Sequence, residues 1–140
     1  MTLEEKELLL KDICARLPYG VMVSVKGGEF DSYNYPYLLT AISKFGLESF
    51  CRMYHPIYTP FGAPKVEDVK PYLRPMSSMT EEENKEYAKI VIKSQDCSYA
   101  NNESATTMVN DWYLSKGFDV RGLIPKGLAL EAPEGMYKTE

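Results

Sequence analysis

The chain has 140 residues, 44% of them hydrophobic, with 16 Lys and Arg against 20 Asp and Glu. That length and apolar fraction suit one folded domain over residues 1–140, with a true core. A net charge of −4 supplies no general positive potential for a phosphate backbone, which argues against nucleic acid as a partner.

The N-terminal MTLEEKELLLKDICARL carries acids ahead of and among its leucines. It therefore reads as neither a signal peptide nor a membrane span, and a cytoplasmic protein with no membrane partner is expected. Thr2 with Glu5 fits a capping box, and Leu9, Leu10, Ile13, Cys14 and Leu17 recur at helical spacing until Pro18 and Gly20 end the pattern. A helix burying that stripe is predicted. The run Val21 to Val25 then predicts a strand, with Gly27 and Gly28 able to take the positive φ of a hairpin turn.

Residues 36–46, PYLLTAISKFG, admit two readings. Leu38, Leu39, Ile42 and Phe45 fit a helix opened by Pro36 and closed by Gly46, and they also fit strands separated by a turn at Lys44 to Gly46. We take the strand reading. LESFCRMY then sets Leu47, Ser49, Cys51 and Met53 against Glu48, Phe50, Arg52 and Tyr54, the period-two pattern of a sheet with one buried face. Pro56, Pro60 and Pro64 impose an irregular, extended path after it.

In KPYLRPMSSMTEEE, Pro71 and Pro75 restrict the backbone to extended or turn geometry. Thr80 with Glu83, or Ser78 with Glu81, offers a capping box, so the stretch predicts a junction into the helix TEEENKEYAKIVIKS. After the polar loop QDCSYANNES, the residues Ala105, Met108, Val109, Trp112 and Tyr113 define a second helix, with Ser104 as its cap. Gly117 suits the left-handed position past its end, which brings Phe118 to Tyr113. The tail has a Pro-Lys-Gly turn, Pro125 to Gly127, between two apolar runs, and predicts a short strand or extended segment against the body. Together these elements predict an α+β fold: an N-terminal helix, a small, mostly antiparallel sheet that is open or curled towards a barrel, two helices in the C-terminal half, and an extended tail.

The strings KPYLRPMSSMTEEE with KEY just after it, DWYLSKGFDVRGLIPKGLALEAPEGMY, and the opening LLKDICARLPYGV resemble a family of small proteins found in gut bacteria of the Bacteroides group and in their phages and prophages. The resemblance covers both ends and most of the second half of the chain. It implies a bacterial cytosol and a phage-related or other mobile-element setting. No activity, cofactor or site is established for that family, so no functional residue carries over.

The chemistry is constrained mainly by what the chain lacks. Cys14, Cys51 and Cys97 are odd in number and widely spaced, which suits reduced thiols rather than a disulfide framework. His55 is the single histidine, so HExxH and multi-histidine metal centres are excluded. Cys51 and His55 could pair as nucleophile and base, but four residues along a strand separate them by roughly 13 Å. A zinc site from Cys14, Cys51, Cys97 and His55 lacks the close-spaced pair that usually nucleates one. GLIPKG, Gly122 to Gly127, has the glycine spacing of a phosphate loop but not the Lys-Ser/Thr that must follow it. The carboxylates Glu67, Asp68 and Glu81 to Glu83 read as solvated faces or helix starts. No catalytic residue, metal ligand or cofactor site is therefore assigned.

Aromatic density is the more useful signal. Tyr33, Tyr35, Tyr37, Tyr54, Tyr58 and Phe61 exceed what a small core readily absorbs, and tyrosine favours interfaces because its body is apolar and its tip polar. They form the candidate partner-binding face; the competing account is a sheet simply covered by tyrosines. Lys116, Arg121 and Lys126 near Trp112 make a small basic spot, with Arg121 expected to pair with an acid. The expected function is a non-enzymatic binding or adaptor protein whose partner is another protein or a second copy. The alternatives are a small enzyme using Cys51 and His55 or cleft carboxylates, and a self-associating structural accessory protein.

Overall fold

The computed structural model describes residues 2–25, 36–46, 48–54, 64–96, 102–133 and 135–137. Helix α1 runs Leu3–Arg16 and starts with the expected capping box, in which Glu5 N–H donates to Thr2 Oγ1 and Thr2 N–H to Glu5 Oε1. Its buried face differs from the predicted stripe. Leu9 and Ile13 are fully buried, but Asp12 and Arg16 are buried beside them while Cys14 is exposed. A mutual ion pair one turn apart lets those two charges occupy core positions, with Arg16 Nε donating to Asp12 Oδ2 at 2.8 Å. Arg121 Nη1 reaches Asp12 Oδ1 at 2.9 Å, the acid partner expected for that arginine, and Arg16 Nη2 donates to the Phe118 carbonyl at 2.7 Å.

A short 3₁₀ turn, Leu17–Tyr19, leads through Gly20, at φ 84°, into the sheet. The strands are β1 (Met22–Val25), β2 (Tyr37–Phe45), β3 (Glu48–Tyr54), β4 (Val69–Leu73) and β5 (Leu130–Glu131). Their spatial order is β3-β2-β1-β4-β5. The first three interfaces are antiparallel and β4–β5 is parallel. With β3 and β5 at its two ends, the sheet is open rather than curled into a barrel. The PYLLTAISKFG segment forms strand over Tyr37–Phe45, not helix; β2 runs through Lys44 to Phe45 and the chain turns at Gly46. The Gly27–Gly28 turn lies outside the described residues.

A register shift between Leu39 and Ala41 marks a β-bulge at Thr40. Ahead of it, Tyr37 and Leu39 point into the core; beyond it, Ile42 packs there opposite Cys51. The bulge thus reverses which residues of β2 face inward. On β3 the predicted alternation holds: Ser49 and Cys51 are buried, Arg52 and Tyr54 exposed. The Cys51 N–H donates to the Pro64 carbonyl at 2.9 Å, so the chain at Pro64 covers part of the β3 edge.

The core lies between the inner sheet face and α1. Leu9 and Ile13 meet Val21, Val23, Val25, Val66, Val69 and Leu73 from the sheet region, and Leu123, Leu128 and Ala129 from the tail. Burying each of the valine, leucine and isoleucine side chains contributes about 1.5–3 kcal/mol. Helices α2 (Glu81–Asp96) and α3 (Asn102–Ser115) pack against one another. Of the two capping registers, α2 uses Thr80 with Glu83, reciprocally bonded at 3.1 Å. Helix α3 begins at Asn102, so Ser104 falls inside its first turn rather than at the cap.

The end of α3 is as predicted. Gly117 has φ 80°, its N–H donates to the Leu114 carbonyl, and the Phe118 N–H donates to the Tyr113 carbonyl, which together make a Schellman motif. Phe118 then packs edge-on to Tyr113 and stacks with Trp112, while Tyr87 of α2 covers both helix aromatics. The tail turns at residues 124–127 and adds β5 beside β4. Tyr137 closes it: its hydroxyl accepts the Met22 N–H at 2.9 Å and donates to the Tyr72 carbonyl at 2.6 Å, tying the tail to β1 and β4. Among the described residues, no helix is long and apolar enough to cross a membrane.

Candidate functional site

The outer face of the β2–β3 hairpin carries the largest exposed aromatic groups of the sheet. Residues paired across an antiparallel ladder share a face, so Ser43 and Phe50, Phe45 and Glu48, Ala41 and Arg52, and Leu38 and Tyr54 all lie on the side away from the core. Phe45 is 70% exposed and Tyr54 55%. The Phe45 and Phe50 rings meet edge-on at 6.0 Å and, with Ser43 and Arg52, border a hollow of about 310 Å³. The face thus sets one exposed and one half-buried phenyl ring beside a hollow, flanked by a guanidinium of the kind that can lie over an aromatic face.

The predicted partner-binding residues divide three ways. Tyr54 is on this face. Tyr37 is 1% exposed and belongs to the core, because the Thr40 bulge leaves it on the inner side of β2. Tyr33, Tyr35, Tyr58 and Phe61 lie outside the described residues. Phe45, Phe50 and Arg52 were not among the predicted residues. The signal for Phe50 and Arg52 was the polar half of the β3 alternation, where a phenylalanine stands between Glu48 and Arg52 on the side that should face water; Phe45, on β2, joins them only through strand pairing.

A second concavity, about 650 Å³, lies between the start of α2 and the tail. Two basic side chains, Arg74 and Lys116, face four acids there: Glu82, Glu83, Glu86 and Glu131. Arg74 is spent on Glu83, and Lys116 pairs with Glu86 at 3.1 Å. The Arg74 hydrogen bonds hold the Glu83 carboxyl down at about 2, with the Thr80 backbone N–H helping. Glu83 stays ionised and cannot serve as a general acid at neutral pH.

Cys51 is fully buried, and burial pushes its thiol up to about 12. A catalytic cysteine needs the opposite environment, one that stabilises the thiolate. His55 lies outside the described residues. Among the described residues no group of three or more His, Cys, Asp or Glu side chains could hold a metal ion. Lys116 and Arg121 of the proposed basic spot are both engaged with acids, Glu86 and Asp12.

Fold and site together define an α+β protein with an open, mostly antiparallel sheet and an aromatic outer hairpin face. No protein-family model, curated protein or solved structure matches the chain.

Proposed function

We propose that the protein is a non-enzymatic binding protein, an adaptor that engages another protein through the outer face of β2–β3. The observation that carries this reading is the grouping of exposed Phe45, half-buried Phe50 and Arg52 around a hollow, with exposed Tyr54 further along the same face. Aromatic residues and arginine are the side chains that most often dominate protein interfaces. The burial of Cys51 and the neutralisation of Glu83 by Arg74 favour binding over catalysis. The likeness of Lys70–Glu83 and the C-terminal strings to small proteins of gut Bacteroides-group bacteria and their phages supports a setting in the bacterial cytosol, as part of a host or mobile-element system.

The test is capture of partners from a Bacteroides-group lysate with the unaltered chain and with the Phe45→Ser/Tyr54→Ser double variant. A protein enriched by the first and lost from the second supports the reading. Equal enrichment by both, with the variant folded, overturns it.

A further inference from the structure

We propose that this same face docks a second copy of the chain across a two-fold axis that crosses β3 at right angles above Phe50. The proposal rests on the binding reading above and specifies one partner for it. A two-fold contact uses the same patch on both copies, so the patch must complement itself. For two sheet faces related by an axis lying between them and perpendicular to the strands, each position on one side of the axis meets the mirror position of the other copy.

Both strands of the hairpin satisfy that condition about one line, the cross-strand pair Ser43 and Phe50. Along β3 the outer residues are acid, aromatic, base: Glu48, Phe50, Arg52. The axis sets Glu48 against Arg52 of the partner subunit, and Arg52 against the partner's Glu48. Along β2 the outer residues are large, small, small: Phe45, Ser43, Ala41. The axis lays the 70% exposed Phe45 ring over the partner's Ala41, beside the 310 Å³ hollow that Ser43, Phe45, Phe50 and Arg52 border. Rotation about an axis parallel to the strands would instead oppose like charges, Glu48 to Glu48 and Arg52 to Arg52, and is disfavoured. Among the described residues no carboxylate pairs with the Arg52 guanidinium. The Glu48 side chain is 41% exposed, but its Oε2 is buried 3.5 Å from Lys6 Nζ, which bonds Glu67 more closely at 2.8 Å, so pairing with the partner's Arg52 draws Glu48 away from its weaker contact.

Sedimentation velocity over a concentration series tests this, with circular dichroism melts confirming that each variant folds. The unaltered chain should pass from monomer to dimer mass. Arg52→Glu, which opposes acids to acids, and Glu48→Arg, which opposes bases to bases, should each remain monomeric. An equimolar mixture of those two variants should regain the dimer mass, because one copy then presents two acids to two bases. Ala41→Trp, which fills the space the partner's Phe45 needs, should also be monomeric.

An unaltered chain that stays monomeric throughout, or an Arg52→Glu variant that dimerises as well as the parent, overturns the proposal. If the chain is monomeric yet loses a captured partner on Phe45→Ser/Tyr54→Ser, self-pairing fails while the binding reading survives. If the double variant changes neither mass nor capture, both fall.

Discussion

Arg74 and Glu83 hold each other through two hydrogen bonds, 2.7 Å from Nη1 to Oε2 and 2.6 Å from Nη2 to Oε1. The same carboxylate accepts the Thr80 N–H that starts α2, and the same guanidinium lies 4.3 Å from the centre of the Phe118 ring while donating to the Lys116 carbonyl. One ion pair therefore joins the end of β4, the first turn of α2 and the exit from α3. Its geometry is of the bidentate, partly buried type that contributes more than an exposed pair.

Acid stability should report this pair. The Glu83 carboxyl is held at about 2 against an ordinary value of 4.5. A carboxylate depressed in the folded state contributes stability that is complete above its unfolded value and lost as pH falls through its folded one. The contribution is on the order of 3 kcal/mol. Denaturant melts of the unaltered chain should weaken between about pH 4.5 and 2. Glu83→Gln should be less stable at neutral pH and should lose less over that window; parallel pH profiles for the two proteins contradict the assignment.

Buried Asp12 pairs with buried Arg16 and with partly exposed Arg121. Asp12→Ala strands the Arg16 charge inside the core and should cost about 3–5 kcal/mol, the range for breaking one side of a buried pair. Adding Arg16→Met should recover part of that loss, since an apolar side chain then fills the site. Chemical denaturation of the single and double variants checks both statements, and a single variant within 1 kcal/mol of the parent counts against the cluster, about the level of an exposed pair.

The tail is fastened by Tyr137 and by the shape of Gly117. A Cβ at position 117 would meet the Tyr137 ring at 3.0–3.4 Å and would sit on a backbone at φ 80°. Tyr137→Phe should cost about 1–2 kcal/mol, because the Met22 N–H and Tyr72 carbonyl lose their shared hydroxyl. Gly117→Ala should cost at least about 1 kcal/mol through the left-handed backbone alone. Hydrogen exchange should show the β4–β5 pairing opening more readily in both variants.

Thiol labelling should separate two cysteines. Cys14 is exposed on α1, whereas Cys51 is fully buried with its thiol pushed to about 12. Maleimide treatment of the folded protein, read by peptide mass spectrometry, should modify Cys14 and spare Cys51 until denaturant is added. Labelling of both at one rate places Cys51 on an accessible surface and removes it from the core.

Several helix ends were legible in the sequence because capping is local chemistry, although α2 offered two registers and α3 begins two residues before the expected Ser104 cap. Thr2 with Glu5, Thr80 with Glu83, and Gly117 before Phe118 each declare themselves within a few residues. The inner residues of β2 were ambiguous for a physical reason. The Thr40 bulge changes their spacing from two to three, Leu39 to Ile42, and so imitates the step of a helix. The charged half of the α1 core was illegible as well. Asp12 and Arg16 are held there by one another, by Arg121 and by the Phe118 carbonyl, and the last two come from far along the chain. The candidate face fell between these cases: the alternation of β3 was visible, but only its pairing with β2 puts Phe45 beside Phe50.

The hydroxyl of Tyr137 also sets how the fold would answer a pulling force. β5 is the last strand of the sheet and is only two residues long, so tension on the tail would by itself peel the sheet from that end. Because Tyr137 grips the backbones of both Met22 and Tyr72, a load applied beyond it enters at β1 and β4 together, in the middle of the sheet. The tail then acts as a rivet, and unzipping from β5 inward must wait until that one side chain lets go.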